Sequence, residues 1–308
     1  MDIEFLLWLQ ALRQSSGMPW EQAAKLISNL IYFPLWVAGF ILVYWRIDKR
    51  SGLWLLLSAV SVDLARAILK LTFAVPRPFV LDSRLQPVIK PQNFSFPSGH
   101  ALWSVAEYGG WAMYLRRRFP WLVYLAGMLM LLTGLSRTVL GVHTPQDILA
   151  GFIIGSLILV STYKLVVWLQ EHSGWDGLLV LAGTALCLAL GWYVSMKSYP
   201  VDMETGKLLL HTKNGIAEAW GTIGFMVGLL WSWYIDRKWL KFSCPLSCGW
   251  KEWLWGLVGL VFCSGYALYA IVILPLLLER AQGRFVAGLT IALLVLVGYP
   301  WFLKRFKL

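Results

Sequence analysis

The chain has 308 residues, of which 58% are hydrophobic and 14% are charged, and its mean hydropathy is +0.64. This balance excludes a soluble globular domain, because too few polar residues are available to cover the apolar ones. In a soluble protein the net charge of +11 would suggest nucleic-acid binding, but in a membrane protein it is the excess of bases expected in cytoplasmic loops, so no nucleic-acid partner is predicted.

Residues 1–25 precede the first apolar run and are predicted to form a separate N-terminal segment. Within it, residues 3–13 have the pattern of an amphipathic helix at the membrane interface, and a buried helix of the soluble type is the alternative. The first residues carry acid where a signal peptide carries base, and no small-residue cleavage site follows. A cleaved signal peptide is therefore not expected.

Nine apolar runs follow, and each approaches the roughly 20 residues that a spanning helix needs. They cover residues 26–45, 53–75, 98–115, 120–137, 146–168, 177–195, 215–235, 252–277 and 286–303. The predicted fold class is all-α, a polytopic membrane helical bundle. Bases cluster in alternate loops, which places the N-terminus outside, the C-terminus inside, and the loops after spans two and four on the outer side.

The four cysteines fall into two groups. Cys187 and Cys263 lie within spans and are predicted to be packing residues. Cys244 and Cys248 lie beside lysines in a short loop that lacks two further metal ligands. Reduced thiols or reversible acylation are therefore predicted there rather than a zinc site.

The first tract with candidate functional residues runs from Lys70 to Pro78, at the outer end of span two. Pro76 and Pro78 restrict the residues before them to extended conformations, so the helix is predicted to end here and to turn Arg77 over the membrane surface. Lys70 and Arg77 would then converge on one point. Taken alone, the tract fits equally well with bases that extend from a helix end to the interface.

The second tract is Pro97-Ser98-Gly99-His100, at the start of span three. Serine is a preferred N-cap, glycine lets a ligand approach the backbone, and the free amides and dipole of a new helix favour an anion. His100 would face that anion from the first turn. Taken alone, a structural cap beside an incidental histidine explains the tract as well.

The third tract runs from residue 136 to Asp147, before span five. Thr144 suits an N-cap, and Pro145 and Asp147 occupy the first and third helical positions, as in a capping box. Capping alone is the structural explanation for Asp147. The same geometry also turns its carboxylate toward one ring nitrogen of His143, which leaves the other nitrogen as a nucleophile or base.

Together the tracts place two histidines, a serine, a helix N-terminus and three bases on one side of the membrane. The bases are Lys70, Arg77 and Arg137. Bases and amides suit a doubly charged tetrahedral anion, and one histidine to attack with another to protonate the leaving oxygen completes a set for phosphoryl transfer. No second carboxylate accompanies Asp147 in these tracts, so neither a metal nor a cofactor is predicted.

These tracts resemble the three signature motifs of the type-2 phosphatidic acid phosphatase superfamily. The motif K-x6-R-P is present as Lys70 to Pro78, P-S-G-H as Pro97 to His100, and S-R-x5-H-x3-D as Ser136 to Asp147. Every signature position is filled, in the family's order and at the ends of predicted helices. The motifs cover about a quarter of the chain.

The resemblance implies a metal-independent mechanism in which His143 attacks phosphorus, forming a phosphohistidine that water then hydrolyses. Asp147 would orient His143, and His100 would protonate the leaving oxygen. The resemblance further implies a set of residues that bind the phosphate oxygens, namely Lys70, Arg77, Ser98, Gly99 and Arg137. It also implies a six-helix core with its active site at the extracytoplasmic surface, in agreement with the charge pattern.

Residues 26–170 are accordingly predicted to be the phosphatase core, and residues 171–308 to add about three transmembrane helices. Nine spans with an external N-terminus resemble the layout of glucose-6-phosphatase, a family member that acts on a sugar phosphate. The added region would wall the lipid-side entrance, mediate dimerisation, or bind a headgroup through a charged outer loop at 196–214. Solvation of ordinary loop charges is the simplest account of that loop.

Three charged residues inside the spans are predicted to support the site from beneath. Asp63 and Arg66 share one face of span two with Lys70, and Glu107 lies two turns beyond His100. Because unpaired charges are costly in hydrocarbon, Arg66 is expected to pair with Asp63, Glu107 or both. The alternative for Glu107 is that it extends to the interface or faces a water-filled cavity.

The leading prediction is an integral membrane phosphatase that hydrolyses a lipid phosphate or pyrophosphate at the outer face of a bacterial-type cytoplasmic (inner) membrane. Undecaprenyl, phosphatidate and phosphatidylglycerol phosphate substrates all fit. The alternatives are a glucose-6-phosphatase-like hydrolase of a soluble sugar phosphate, vanadate-dependent halide oxidation as in the related haloperoxidases, and a transporter or scaffold that only binds phosphate. The expected partners are the bilayer and the lipid substrate, and a homodimer is left open.

Overall fold

The computed structural model describes residues 3–16, 19–30, 35–200, 212–244 and 249–308. Helices account for most of these residues, and no strand occurs among them, which confirms the predicted all-α class. Cys248 lies outside the described ranges, as does most of the outer loop at 196–214 with its residues Asp202, Glu204, Lys207 and His211.

The helices of the described chain are, in order, α1 (Ile3–Ser16), α2 (Pro19–Leu30), α3 (Leu35–Leu42), α4 (Lys49–Phe73), α5 (Pro78–Leu81), α6 (Gly99–Ser104), α7 (Gly110–Leu115), α8 (Leu122–Val139), α9 (Pro145–Glu171), α10 (Asp176–Met196), α11 (Thr212–Ile235), α12 (Trp250–Leu277), α13 (Arg280–Leu293) and α14 (Tyr299–Phe306). π-Helical turns at Val43–Ile47, Val105–Gly109, Asp236–Leu240 and Leu294–Gly298 continue α3, α6, α11 and α13.

Six stretches of the described chain are long and apolar enough to cross a membrane, as expected of a multi-pass membrane protein. They are Lys49–Leu81, Leu122–Val139, Pro145–Glu171, Ser173–Met196, Trp250–Leu277 and Arg280–Phe306. These stretches coincide with predicted spans two, four, five, six, eight and nine. Predicted spans three and seven form helices, α6–α7 and α11, that are not among the six.

The predicted first span, residues 26–45, differs most from the observed helices. α2 ends at Leu30 and α3 begins at Leu35, and residues 31–34 lie outside the described part of the chain. Within this predicted span α2 contributes the polar residues Ser28 and Asn29, and Pro34 disfavours a helical conformation in the residue before it. Only the shorter apolar stretch Trp36–Ile47 remains of this predicted span.

The chain divides into two compact units. Unit 1 comprises Met1–Pro34, Ala65–Val160 and Ser198–Thr212, and it contains the three tracts that resemble phosphatase motifs. Unit 2 comprises Leu35–Leu64, Ser161–Lys197 and Lys213–Leu308. The division into an N-terminal segment (1–25), a core (26–170) and an added region (171–308) remains a proposal.

In unit 1, α1, α2 and α6 all pack against α8, and α9 closely approaches α6. Gly151 and Gly155 on α9 form a small-xxx-small pair of the kind that lets membrane helices come close. A Cβ atom at Gly151 would lie 2.8 Å from the carbonyl oxygen of Ser98, so a larger residue would force the helices apart. The Ser98 amide donates to the Asp147 carbonyl oxygen at 2.9 Å, and the beginnings of α6 and α9 therefore lie side by side.

In unit 2, α12 packs against α13, and the buried carboxylates have basic partners. Asp236 forms an ion pair with Lys49, and Asp176 forms one with Arg237 at 2.9 Å. Such pairing is what buried charges need when water cannot solvate them. Cys187 and Cys263, the two cysteines predicted to be packing residues, are buried free thiols in this unit.

Candidate active site

The first motif lies where α4 ends. Ala74 adopts a left-handed conformation with φ 49° after the last turn, and Arg77 is extended with φ −74° and ψ 153° before Pro78 starts α5. The buried ammonium group of Lys70 donates to the carbonyl oxygens of Phe94 and Ser95. This motif therefore directs two bases toward the loop that precedes α6.

Arg77 is fixed on several sides and lies next to a histidine. Its Nε donates to the Asn93 carbonyl oxygen at 2.8 Å, and Nη2 donates to the Asn93 side chain. Its Nη1 donates to the Val142 carbonyl oxygen at 2.7 Å and lies 3.2 Å from Nε2 of His143. The guanidinium plane is therefore held in place without the help of a ligand.

In the second motif, Ser98 occupies the N-cap position of α6, but its side chain makes no capping hydrogen bond. Its Oγ atom is buried and has no hydrogen-bond partner within the described ranges. A buried hydroxyl without a partner is unfavourable, so a ligand oxygen would stabilise it. Gly99 and His100 follow directly and line the same cavity as Arg77.

The third motif combines a helix cap with a histidine–carboxylate pair. The Thr144 amide donates to Oδ2 of Asp147 at 3.0 Å, and the Asp147 amide donates to the Thr144 hydroxyl at 3.3 Å, which is a reciprocal capping box. The same Oδ2 lies 3.3 Å from Nδ1 of His143. The carboxylate therefore caps α9 and orients the imidazole at the same time.

The contacts of His143 determine which ring nitrogen carries the proton. A guanidinium group can only donate, so Nε2, which faces Arg77, is the acceptor. The proton is then on Nδ1, which faces the carboxylate of Asp147. The lone pair of Nε2 points to the cationic side of the site, as a nucleophile for an anionic phosphate requires.

His143 lies in the loop between α8 and α9, and only 1% of its surface is exposed. Its pKa is well below the ordinary value of 6.5, first because burial disfavours the charged ring and then because of repulsion from nearby bases, above all Arg77 and Lys70. The imidazole is therefore neutral at neutral pH and can act as a nucleophile.

This shift predicts the acidic side of the pH profile. If neutral His143 is the nucleophile, as the motif resemblance implies, the acidic limb of the kcat/KM profile should lie below pH 6.5. Arg137→Gln removes one of the repelling charges, so the protonated ring becomes less unfavourable and the acidic midpoint should move to higher pH. The ratio of variant to wild-type kcat/KM across pH measures this shift, because titration of the substrate cancels in the ratio. A midpoint that moves to lower pH would contradict the expectation.

The site surrounds a cavity of about 250 Å³. Its charged lining residues are all cationic, namely Arg66, Lys70, Arg77 and Arg137. Both histidines line it, as do Asn29 and Asn93. Pockets that enclose whole drug-sized ligands measure about 300–1,000 Å³, so this cavity suits a phosphate headgroup rather than an entire lipid.

Ser95 is a residue of the site that the sequence motifs did not indicate. Its hydroxyl donates to Oδ2 of Asp147 at 2.6 Å and lies 3.3 Å from Nδ1 of His143. It is buried, three residues before Ser98 in the same tract. A polar residue between Phe94 and Phe96 was the available signal, although no spacing rule linked it to the third motif.

We expect Ser95→Ala to lower kcat about tenfold, because Asp147 would lose a hydrogen-bond donor that fixes its carboxylate, and hydrogen bonds to charged groups contribute about 1.5–3 kcal/mol. KM should change little, since Ser95 lies behind the histidine and not in the cavity lining. Steady-state kinetics in detergent provides the measurement, with Ser15→Ala, an exposed serine of α1, as the control. A larger effect on KM than on kcat would contradict this role.

The N-terminal helices also contribute to the site. Arg137 donates to the Ser28 hydroxyl on α2, and the neighbouring Asn29 lines the cavity. Ala24 of α2 is buried in a cluster with Leu140 and Val142, which lie within three residues of His143. α2 therefore supports the loop that carries the histidine, a contact that no spacing in the sequence revealed.

α1 helps to hold this arrangement. Arg13 donates to the carbonyl oxygens of Val139 at 3.0 Å and Gln86 at 2.6 Å, and it forms an ion pair with Glu21 at 3.2 Å. The helix extends to Ser16, beyond the predicted residue 13, and it packs against α8.

The three residues expected to support the site from beneath have different surroundings. Arg66 lines the cavity beside Lys70. Asp63 accepts a hydrogen bond from the Thr222 hydroxyl at 2.7 Å within unit 2. Glu107 is buried in the π-helical turn after α6, where its Oε2 has no hydrogen-bond partner among the residues described. The pairing of Arg66 with Asp63 or Glu107 stays a prediction.

Comparison with known proteins agrees with the motif resemblance. A family model described as "PAP2 superfamily" matches residues 51–171, which contain all three motifs. Phosphatidylglycerophosphatase B of Bacillus subtilis (strain 168) is 39% identical over 79 residues, which is 23% of this chain and 39% of that protein. Undecaprenyl-diphosphatase of Sulfolobus acidocaldarius is 32% identical over 125 residues, 40% of this chain and 58% of that protein.

A third similar protein is sphingosine-1-phosphate phosphatase 1 of Rattus norvegicus, 31% identical over 155 residues, 44% of this chain and 31% of that protein. The chain thus spans 39%, 58% and 31% of the lengths of these three relatives. The search of solved structures found no significant match.

Proposed function

We propose that this chain, whose residues 51–171 match the PAP2 superfamily model, is an integral membrane phosphatase that hydrolyses a lipid phosphate or lipid pyrophosphate. The observation that carries the proposal is the position of His143, between the carboxylate of Asp147 and a cavity lined by four cations. The names of the three relatives point to lipid phosphates as the substrate class.

In the proposed first step, Nε2 of His143 attacks phosphorus and displaces the leaving oxygen. Arg77 shifts its Nη1 contact from the histidine to a phosphate oxygen, together with Lys70 and Arg137. The free hydroxyl of Ser98 and the amide of Gly99 at the start of α6 bind the remaining charge. His100, which faces the same cavity, gives its proton to the leaving oxygen.

In the proposed second step, water hydrolyses the phosphohistidine. His100, now neutral, takes a proton from the water as the new P–O bond forms and the P–N bond breaks. The negative charge of Asp147 offsets the positive charge on the phosphorylated ring throughout. Every group required belongs to unit 1, and the mechanism needs no metal ion.

The proposed location is the cytoplasmic (inner) membrane, with the site on the extracytoplasmic side. The support is the distribution of bases, which places the loops after spans two and four outside. The cavity is small enough that the lipid tail remains in the bilayer while the headgroup reaches the histidines. The sidedness is tested with single-cysteine variants at Lys90 and at Arg118 in a background without native cysteines. An impermeant thiol reagent, added to the outside, reacts only with a cysteine that faces the extracytoplasmic side.

The substrate class is tested with purified protein in detergent. Phosphatidate, phosphatidylglycerol phosphate and an isoprenyl diphosphate are assayed in parallel with glucose 6-phosphate, and kcat/KM is compared. The proposal predicts that kcat/KM for at least one lipid is about 100-fold or more above kcat/KM for glucose 6-phosphate, because burial of the CH₂ groups of the tail provides binding energy. A higher value for glucose 6-phosphate would instead support a soluble sugar phosphate as the substrate.

A further inference from the structure

Arg66 is a fourth cation of the cavity wall, and it belongs to none of the three motifs. It lies one helical turn before Lys70 on α4, and both side chains line the cavity. Like charges four residues apart are neighbours on a helix and repel each other. Two adjacent cations that face one cavity therefore favour an anion between them.

The side chain of Arg66 crosses the beginning of the helix that carries His100. A Cβ atom at Gly99 would lie 2.9 Å from Cδ of Arg66 and 3.9 Å from Cε of Lys70. Gly99 directly precedes His100, and Arg66 interacts electrostatically with both Lys70 and His100. Arg66 is therefore on the side of the cavity where the leaving oxygen would receive its proton.

The order of residues along α4 also sets their depth. The helix ends at Phe73, Lys70 is about one turn from that end, and Arg66 is a further turn inward, about 5.4 Å per turn. Arg77, which contacts the nucleophile, follows the helix end. If a substrate is bound with its phosphorus at His143 and its tail in the bilayer, Arg66 would therefore lie beside the part of the headgroup that connects the reacting phosphorus to the tail.

We propose that Arg66 binds a second phosphate group at this place, and hence that the preferred substrate is a lipid diphosphate. The inference rests on the proposed phosphatase function and names its substrate class. A phosphate monoester carries about −1.5 to −2 charges at neutral pH, and a diphosphate adds a further ionised group. A monophosphate would instead leave as an alcohol, which offers Arg66 no charge to bind.

The reaction of a diphosphate follows from these positions. Nε2 of His143 attacks the terminal phosphorus, and the bond from that phosphorus to the bridging oxygen breaks. His100 gives its proton to the bridging oxygen, so the lipid monophosphate leaves with its anionic oxygens bound to Arg66. Water then hydrolyses the P–N bond, returns a proton to His100 and releases inorganic phosphate.

The test compares a diphosphate and a monophosphate on the same isoprenyl tail, so that the apolar contribution is constant. We expect the wild-type kcat/KM to be higher for the diphosphate than for the monophosphate. Arg66→Gln should lower the ratio of these two kcat/KM values about tenfold or more, because a charge-assisted contact to the second phosphate is lost. Arg66→Lys keeps the charge but not the bidentate geometry, so its ratio should be intermediate. Arg118→Gln, which removes an exposed arginine of the same unit, should leave the ratio unchanged.

An equal loss on both substrates in Arg66→Gln would overturn the inference while leaving the phosphatase function in place. A wild-type protein that releases phosphate from neither substrate would overturn both. If Arg66→Gln does not give a folded, monodisperse protein, Arg66→Lys carries the test: a lowered ratio supports the second phosphate site, and an unchanged ratio overturns it.

Discussion

His143→Ala should lower kcat about 10⁴-fold or more, because the proposed nucleophile is removed and alanine offers no replacement. The proposed anion-binding groups, Lys70, Arg77 and Ser98, lie on other elements and should remain in place. Binding of vanadate, a phosphate analogue, should therefore persist, and the loss should appear in kcat rather than in binding. Phosphate release and vanadate binding, measured on the same preparation, separate the two effects.

A second measurement tests the covalent step itself. Rapid acid-free quenching of wild-type protein with ³²P-labelled substrate should trap an acid-labile, alkali-stable phosphoenzyme that is absent from His143→Ala. His172→Ala serves as the matched control, because His172 is exposed in unit 2, where it stacks on Trp168. Substantial turnover by His143→Ala would refute the proposed nucleophile.

Asp147→Asn should have the second-largest effect, about 10³- to 10⁴-fold on kcat, comparable with the loss of the orienting carboxylate in other histidine–carboxylate systems. Three donors converge on one oxygen of Asp147, from Ser95, Thr144 and His143. An amide oxygen can still accept from them, so the local fold should survive. The variant loses the negative charge that would offset the proposed phosphohistidine, and this loss accounts for the predicted decrease.

Thr144→Ala distinguishes this electrostatic role from helix capping. It removes the hydroxyl that accepts from the Asp147 amide but leaves the carboxylate in place. We expect a cost of about 1 kcal/mol in stability with most of kcat retained. If both variants lost activity in proportion to their loss of thermal stability, capping would be the sole role of Asp147.

The membrane character and most of the helices were predictable because they depend on local composition. A run of about 20 apolar residues must be helical in a bilayer, whatever its neighbours are. The first predicted span is the exception, because the part of it that lies in α2 contains the polar residues Ser28 and Asn29, and α2 packs against α8.

The three motifs were predictable because their residues are separated by short, fixed intervals in the sequence. Lys70 and Arg77 lie on either side of one helix end, and Asp147 is one turn from His143. Such local relations survive in the sequence as fixed intervals. The cavity brings the first motif together with Gly99, His100, Arg137 and His143, and the family model matches residues 51–171, which contain all three motifs.

The sequence by itself therefore determined that the chain is an all-helical membrane protein with phosphatase motifs, because hydropathy and motif spacing are local properties. Only the tertiary structure revealed that Ser95 holds Asp147 and that Ser28 and Asn29 of α2 reach the site. These contacts join residues up to 109 positions apart, as between Ser28 and Arg137. No sequence interval encodes them, because they arise only when α2, α4, α6 and α8, together with the loops before α6 and α9, come together at the site.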